Sequence, residues 1–430
     1  MPAMTTSTKK REHRMRVDQI RVDEARVVEE ADSLRLIFPV THGQTQTNVW
    51  FTVRNADAAP SGNAALALAL VPAMRAARSL VLADSLSPRL FASQAAIQKL
   101  FQDWDNRFNV VGITAPLGES HQASTGGTGL FFTGGVDSFF SLLKHREEIT
   151  HLIFVRGFDI KRDEQEVDGS VLPAIRAVAA QMNKTLVEVS TNIREFSDPI
   201  VDWALDYHGT ALAAVALLLA PMLNKVYVAA SHAEGDTFRW GSHLLLDPLY
   251  STETLSLIHD GANATRVEKV AAIADDRLVQ QTLRVCNKAG AYNCGRCEKC
   301  LRTMINLRVA GALEKVVTFD RHLRLNEVRL IHVRDENKAS YVLENLTALR
   351  AKGVDDDLAL ALNDALNHRF YKGWGRLEKP LIRGINRLAD WLQPQTLRGD
   401  IDEPASQDSL PRRTPLCGPS PHTASTTCNS

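Results

Sequence analysis

A chain of 430 residues exceeds what one ordinary core serves, so two or three domains are expected. An apolar fraction of 44% can bury a sizeable core, and 50 Lys+Arg against 50 Asp+Glu leave no net charge to coat nucleic acid broadly, only a local patch. The longest apolar runs, 64–74 and 211–223, are short and broken by Pro, and the basic start MPAMTTSTKKREHRMR lacks the apolar centre of a secretory signal, so a cytoplasmic protein without a membrane span is expected.

Residues 1–17 read as a loose basic tail. Between 18 and 120 a small α+β domain is expected. Its strands are SLRLIFPV and NVWFTV, joined by THGQTQT, and later SLVLAD. Its helices are an Ala/Leu-rich stretch from about Ala64 and FASQAAIQKLFQDW, opened by Ser87-Pro88. The small residues of 119–129 read as a linker. From 128 to 311 strands and helices alternate: LFF (130–132), a helix from Phe139, HLIFVRGFD (151–159), SVLPAIRAVAAQMNK, TLVEVSTN (185–192), HGTALAAVALLLAPMLN, and KVYVAAS (225–231). That spacing predicts a doubly wound parallel sheet with helices on both faces. A mostly helical extension is expected over 312–393, with a strand-like VRLIHV (328–333) and helices near 340–350 and 356–368. The Pro/Ser/Thr-rich 394–430 reads as disordered.

The junction after the first of these strands reads TGGVDS, 133–138. Amides at a helix start lack intrahelical partners and sit at the positive end of the dipole. Glycines let the backbone wrap an anion, so Thr133, Gly134, Gly135, Val136, Asp137 and Ser138 form a candidate phosphate cradle. No Walker pattern G-x-x-x-x-G-K-[ST] follows. Asp137 could orient the loop or cap the helix, or hold Mg²⁺ against phosphate oxygens. Asp159, ending the second strand, falls either beside a nucleoside or in a surface turn.

The string resembles the SGGxDS signature of the PP-loop ATP pyrophosphatases, with Thr133 for Ser. The resemblance implies an adenine nucleotide alpha-hydrolase-like, Rossmann-like fold that binds ATP and cleaves it between the α and β phosphates. Asp137 and Ser138 would then be the catalytic candidates and the whole turn, with Asp159, the nucleotide-binding set.

Four of the six cysteines fall at 286–300 with spacing C-x7-C-x2-C-x2-C. Cys286, Cys294, Cys297 and Cys300 suit a closed tetrahedral Zn²⁺ site, with Gly295 allowing the knuckle and Arg296 and Lys299 offsetting thiolate charge. An iron–sulfur cluster also takes four cysteines, whereas a redox pair needs two. Cys286, CGRCEKC and Arg302 resemble the 7-cyano-7-deazaguanine synthase branch of the same family, as does TRVEKV (265–270), where Arg266 replaces a Lys. The resemblance covers 130–310, and about 130 residues precede it and 120 follow. The branch's Tyr-Pro-Asp-Cys-Arg segment has no counterpart here.

In its place stands SHAEGDTFRWGSHLLLDPLYSTE (231–253), a polar stretch at a carboxyl strand end. His232, Asp236, Arg239 and Asp247 are its substrate candidates, with Glu234 and His243 beside them, and Tyr207-His208-Gly209 a weaker group. The basic KGWGRLEKPLIRGINRLADWL (372–392) could touch a partner, RNA or membrane surface, or pack by its tryptophans.

The resemblance thus implies ligase-type chemistry with ATP, Mg²⁺ and Zn²⁺. A substrate carboxylate or carbonyl oxygen is adenylated, pyrophosphate leaves, and an amide or nitrile forms. Thiolation of tRNA, as in other PP-loop families, or nucleotide sensing in a multi-protein system are the alternatives. The flanking regions point to a larger substrate or a protein partner, with a dimer left open.

Overall fold

In the first forty described residues, alternation sets the architecture. Ser33–His42 (β3) buries Leu36, Phe38 and Val40 on one face and pairs in register with Thr45–Arg54 (β4) through the turn at Gly43. Gln19–Val22 (β1) and Arg26–Glu30 (β2) both lie antiparallel to β3. Gly62–Arg75 (α1) is buried along almost its whole length, and Ser61 caps it by accepting the Ala64 N–H. Ser79–Leu82 (β5) then joins β1 in parallel, Pro88–Trp104 (α2) follows with Ser87 as its cap, and Ile113–Thr114 (β6) closes that edge.

The alternating half follows: Gly127–Phe131 (β7), Val136–Lys144 (α3), His151–Arg156 (β8), Gln165–Gln181 (α4), Thr185–Thr191 (β9), Ile193–Ser197 (α5), a π turn at Trp203–Tyr207, His208–Leu218 (α6) and Leu223–Ala229 (β10). Ser256–Asp260 (β11), Arg266–Ile273 (α7), Arg277–Thr282 (α8) and Glu298–Ala310 (α9) complete it. The structure, a computed structural model, describes residues 19–118, 126–158, 165–235, 239–286, 288, 291–331, 333, 336–353 and 355–367. Asp159, Asp236, both tails and 372–392 lie outside the described residues.

One mostly parallel sheet carries the eleven strands of the described residues in the order β11-β10-β7-β8-β9-β4-β3-β1-β5-β6, with β2 beside β3. Strands β7 to β11 are mutually parallel. Counted from β7 their order is 5-4-1-2-3, compatible with a Rossmann-like fold. Chain direction across the sheet reverses between β7 and β10. The crevice at the carboxyl ends there is where such sheets bind ligands.

The expected boundary near 118–128 divides the chain but not the sheet. β4 pairs antiparallel with β9, Phe51 opposite Thr191 and Val53 opposite Val189. Helices α1 and α6 share one core, with the Tyr207 hydroxyl donating to the Leu68 carbonyl at 2.6 Å and the Thr210 hydroxyl to the Ala67 carbonyl at 2.6 Å. Both helices are rich in Ala, which lets two fully buried backbones approach closely. The described residues all belong to one compact unit, Met1–Gly373. On the opposite face a second core gathers α3, α4, α7, α8 and one side of α9, from Cys300 to Leu307.

The described residues of VRLIHV form no strand. Leu325–Arg329 (α10) is helical, and Val328 is fully buried against Glu336–Lys352 (α11) and Asp356–Asn367 (α12) in a third, helical core. Those two helices match the expected ones. Among the described residues no helix is long and apolar enough to cross a membrane.

Candidate anion site and cysteine knuckle

β7 delivers the chain into the glycine turn at the crevice. Gly134 has φ +74, a left-handed conformation that glycine adopts without cost. Gly135 is the N-cap of α3, and no side chain caps that helix. Its first-turn amides therefore keep the donor capacity that an anion can use. Ser138 is buried and donates to the Gly135 carbonyl at 3.0 Å, so its hydroxyl braces the turn from within. Thr133 is exposed beside the turn.

Helix α7 faces this turn. Its start is a reciprocal capping box between Thr265 and Glu268. Arg266 and Lys269, three apart, project from one face. Arg266 Nη1 lies 2.5 Å from Asp137 Oδ2, and Lys269 Nζ lies 3.6 Å from Oδ1. Lys269, almost fully buried, also donates to the Ala230 carbonyl just past β10 at 2.7 Å. A third cation comes from α9: the Arg302 guanidinium lies 4.0 Å over the Tyr341 ring, which α11 supplies. The Tyr341 hydroxyl is 3.2 Å from His232 Nδ1.

Three cations thus surround one carboxylate. Burial opposes ionisation of Asp137, but the Arg266, Lys269 and Arg302 charges outweigh it and hold the carboxyl below its usual range. Burial lowers Lys269, and burial with the Arg266 charge lowers Arg302. His232 is pushed down to about 4 by burial, which outweighs the opposing pull of Asp137 and is reinforced by Arg302 and Lys269. Buried Arg266 Nε, Arg302 Nε and Asp137 Oδ1 make no hydrogen bond. Buried donors on surplus cations are what an anionic ligand satisfies.

His232 also borders a small cleft, with room for about one water, lined by Trp240, Ser242, His243, Leu244 and His259. His232 meets Trp240 edge-on, with centroids 5.0 Å apart. Of the substrate candidates from this stretch, His232 reaches the cationic site. Arg239 does not: it pairs with Asp105 and, at 2.9 Å, with Asp206, fastening its loop to α2 and the π turn. Asp247 is likewise engaged, accepting from Ser242 at 2.7 Å and His259 Nδ1 at 2.8 Å. It holds the loop to β11.

The four cysteines converge as expected. Their ligand atoms all lie within 4.8 Å of one another, with Sγ separations of 3.5 Å (286–294), 3.8 Å (286–297) and 4.0 Å (294–300). A tetrahedral ion with Zn–S bonds of about 2.3 Å requires edges of about 3.8 Å. A disulfide would need about 2.05 Å, and all four thiols are free. Thiol hydrogen bonds pull Cys297 down to about 5, while Cys297 and burial push Cys300 up. Such crowding is relieved when a cation neutralises all four thiolates. The group fits a metal ion such as zinc.

Lys269 and Tyr341 were not singled out from the sequence, and Arg266 and Arg302 entered only through the resemblance. The i, i+3 pair of bases behind the capping-box signature T-x-x-E was the available signal. No family model, no curated protein and no solved structure matches the chain.

Proposed function

We propose that the protein is an ATP-dependent, AMP- and pyrophosphate-forming enzyme of the PP-loop kind, with chemistry like that of 7-cyano-7-deazaguanine synthase. One observation carries the proposal. The uncapped glycine turn sits at the carboxyl end of β7, where strand order reverses, and faces Arg266, Lys269 and Arg302 across the single carboxylate Asp137. In this reading a substrate carboxylate or carbonyl oxygen attacks the α-phosphorus, and the bond to the β-phosphate oxygen breaks. Pyrophosphate leaves into the turn, where amides and the three cations oppose its growing charge. A nucleophile, ammonia in the closest resemblance, then displaces AMP.

Asp137 Oδ2 is held by Arg266 and Oδ1 faces Lys269 Nζ at 3.6 Å, so the carboxylate holds these two cations at the turn, and Mg²⁺ would come with the nucleotide. The cysteine knuckle would hold Zn²⁺ as a closed structural site. Sulfur transfer to tRNA is less well supported, since these thiols are gathered around one centre.

The test is product analysis with ATP, Mg²⁺, ammonia and 7-carboxy-7-deazaguanine. AMP that depends on the acid is expected. AMP without that dependence would keep adenylation and send the search to other acceptors. ADP, or no turnover, would remove the proposal.

A further inference from the structure

We infer that the four-cysteine knuckle is the positioning device of the anion site, so that metal occupancy there sets anion affinity at the glycine turn. The inference rests on the proposed phosphate role of that turn, and two physical links carry it.

The first link runs through 282–286. Leaving α8, this segment lies against the turn, and the Arg284 N–H donates to the Gly134 carbonyl at 2.8 Å. Two residues on is Cys286. Between the other ligands and this segment stands Asn293, fully buried. Its Oδ1 accepts from the Val285 N–H at 2.9 Å and the Cys286 N–H at 3.2 Å, and its Nδ2 donates to the Leu283 carbonyl at 2.7 Å. The Tyr292 hydroxyl donates to the Thr282 carbonyl at 2.6 Å. Residues 292–293, immediately before Cys294, therefore grip the strap that fixes Gly134 in its left-handed conformation.

The second link is α9. Cys297 is its N-cap, and no side chain caps the helix. Cys300 lies in its first turn and Arg302 two residues beyond. A metal bound by both cysteines fixes the start of the helix and hence the reach of Arg302 toward Asp137. A loop this short has little core of its own, and metal binding in such knuckles supplies the folding free energy. One ion thereby orders both a backbone clamp and a cation of the same anion site.

The experiment compares zinc-loaded full-length protein with protein stripped by a chelator, using inorganic pyrophosphate as the probe. Calorimetry reads its affinity and hydrogen exchange reads 133–138 and 282–286. Stripping should weaken pyrophosphate by about tenfold or more, speed exchange in both segments, and be reversed by Zn²⁺. Unchanged affinity and exchange in stripped protein would overturn the inference, as would failure to retain or take up zinc. Should stripping unfold the chain, Asn293→Asp decides. It leaves all four ligands but removes the donor to Leu283. Zinc retained with pyrophosphate weakened several-fold supports the inference, and zinc retained with pyrophosphate unchanged overturns it. Zinc-linked pyrophosphate binding without AMP formation would remove the proposed reaction and leave this coupling standing. No pyrophosphate binding by zinc-loaded protein would remove both.

Discussion

Asp137 and His232 show how one buried charge cluster treats an acid and a base differently. Both have lowered pKa values, Asp137 because three cations outweigh its burial and His232 because burial and two of those cations disfavour imidazolium. For His232 the folded value is about 4 against 6.5 for the ordinary group. Below 6.5 the unfolded chain binds a proton that the folded chain refuses, so stability falls as pH drops from 6.5 toward 4. The loss from this one group is at most about 3 kcal/mol, less where solvent screens it. His232→Gln should flatten the decline of melting temperature over that window. An unaltered profile would show that His232 ionises freely. Asp137 adds a decline at lower pH, since its contribution is lost only as pH falls through a value below the usual carboxylate range.

At the scale of elements, the extension beyond Gly311 enters the site through one helix. α11 places Tyr341 against Arg302 and His232, and its own support is the third core with α10 and α12. A cation–π contact that is partly desolvated is worth about 1–2 kcal/mol. Tyr341→Ala should therefore weaken pyrophosphate binding by about tenfold. Tyr341→Phe, which keeps the ring and loses only the hydroxyl contact to His232, should change it far less. Equal losses in the two variants would place the effect in the hydroxyl instead. The helices α11 and α12 were legible from periodicity, and the four cysteines from spacing, because both signals are local. β11 was not, since SLIHD is short and ends in His259 and Asp260, the very groups that bond to Asp247 and to Ser141. The cationic cluster was only partly legible. Its members stand at 266, 269 and 302, and only the crossovers of the sheet bring them to the turn. Arg239 and Asp247 looked available because a sequence does not show that Asp105, Asp206, Ser242 and His259 already satisfy them.

Across the whole molecule the decisive contact is β4 against β9, residues more than a hundred apart in sequence. Periodicity identifies each strand but carries no trace of which partner it meets, so the region before 120 read as a separate domain. The ladder makes it an antiparallel continuation of the parallel half, and Phe51 on β4 lies fully buried in the core that also holds Val187, Val189 and α6. Two independent domains would unfold separately, whereas a shared sheet and core couple the halves. Truncating a buried Phe to Ala costs about 3–5 kcal/mol. In Phe51→Ala that cost should therefore fall on one calorimetric transition that moves as a whole, with the loss of pyrophosphate binding following the same midpoint on heating. A transition that splits, leaving pyrophosphate bound after 19–118 has melted, would mean that the sheet is continuous in geometry but not in cooperativity. The anion site would then depend on β7 to β11 alone. A single shifted transition would instead make the N-terminal strands part of what holds the crevice open between β7 and β10.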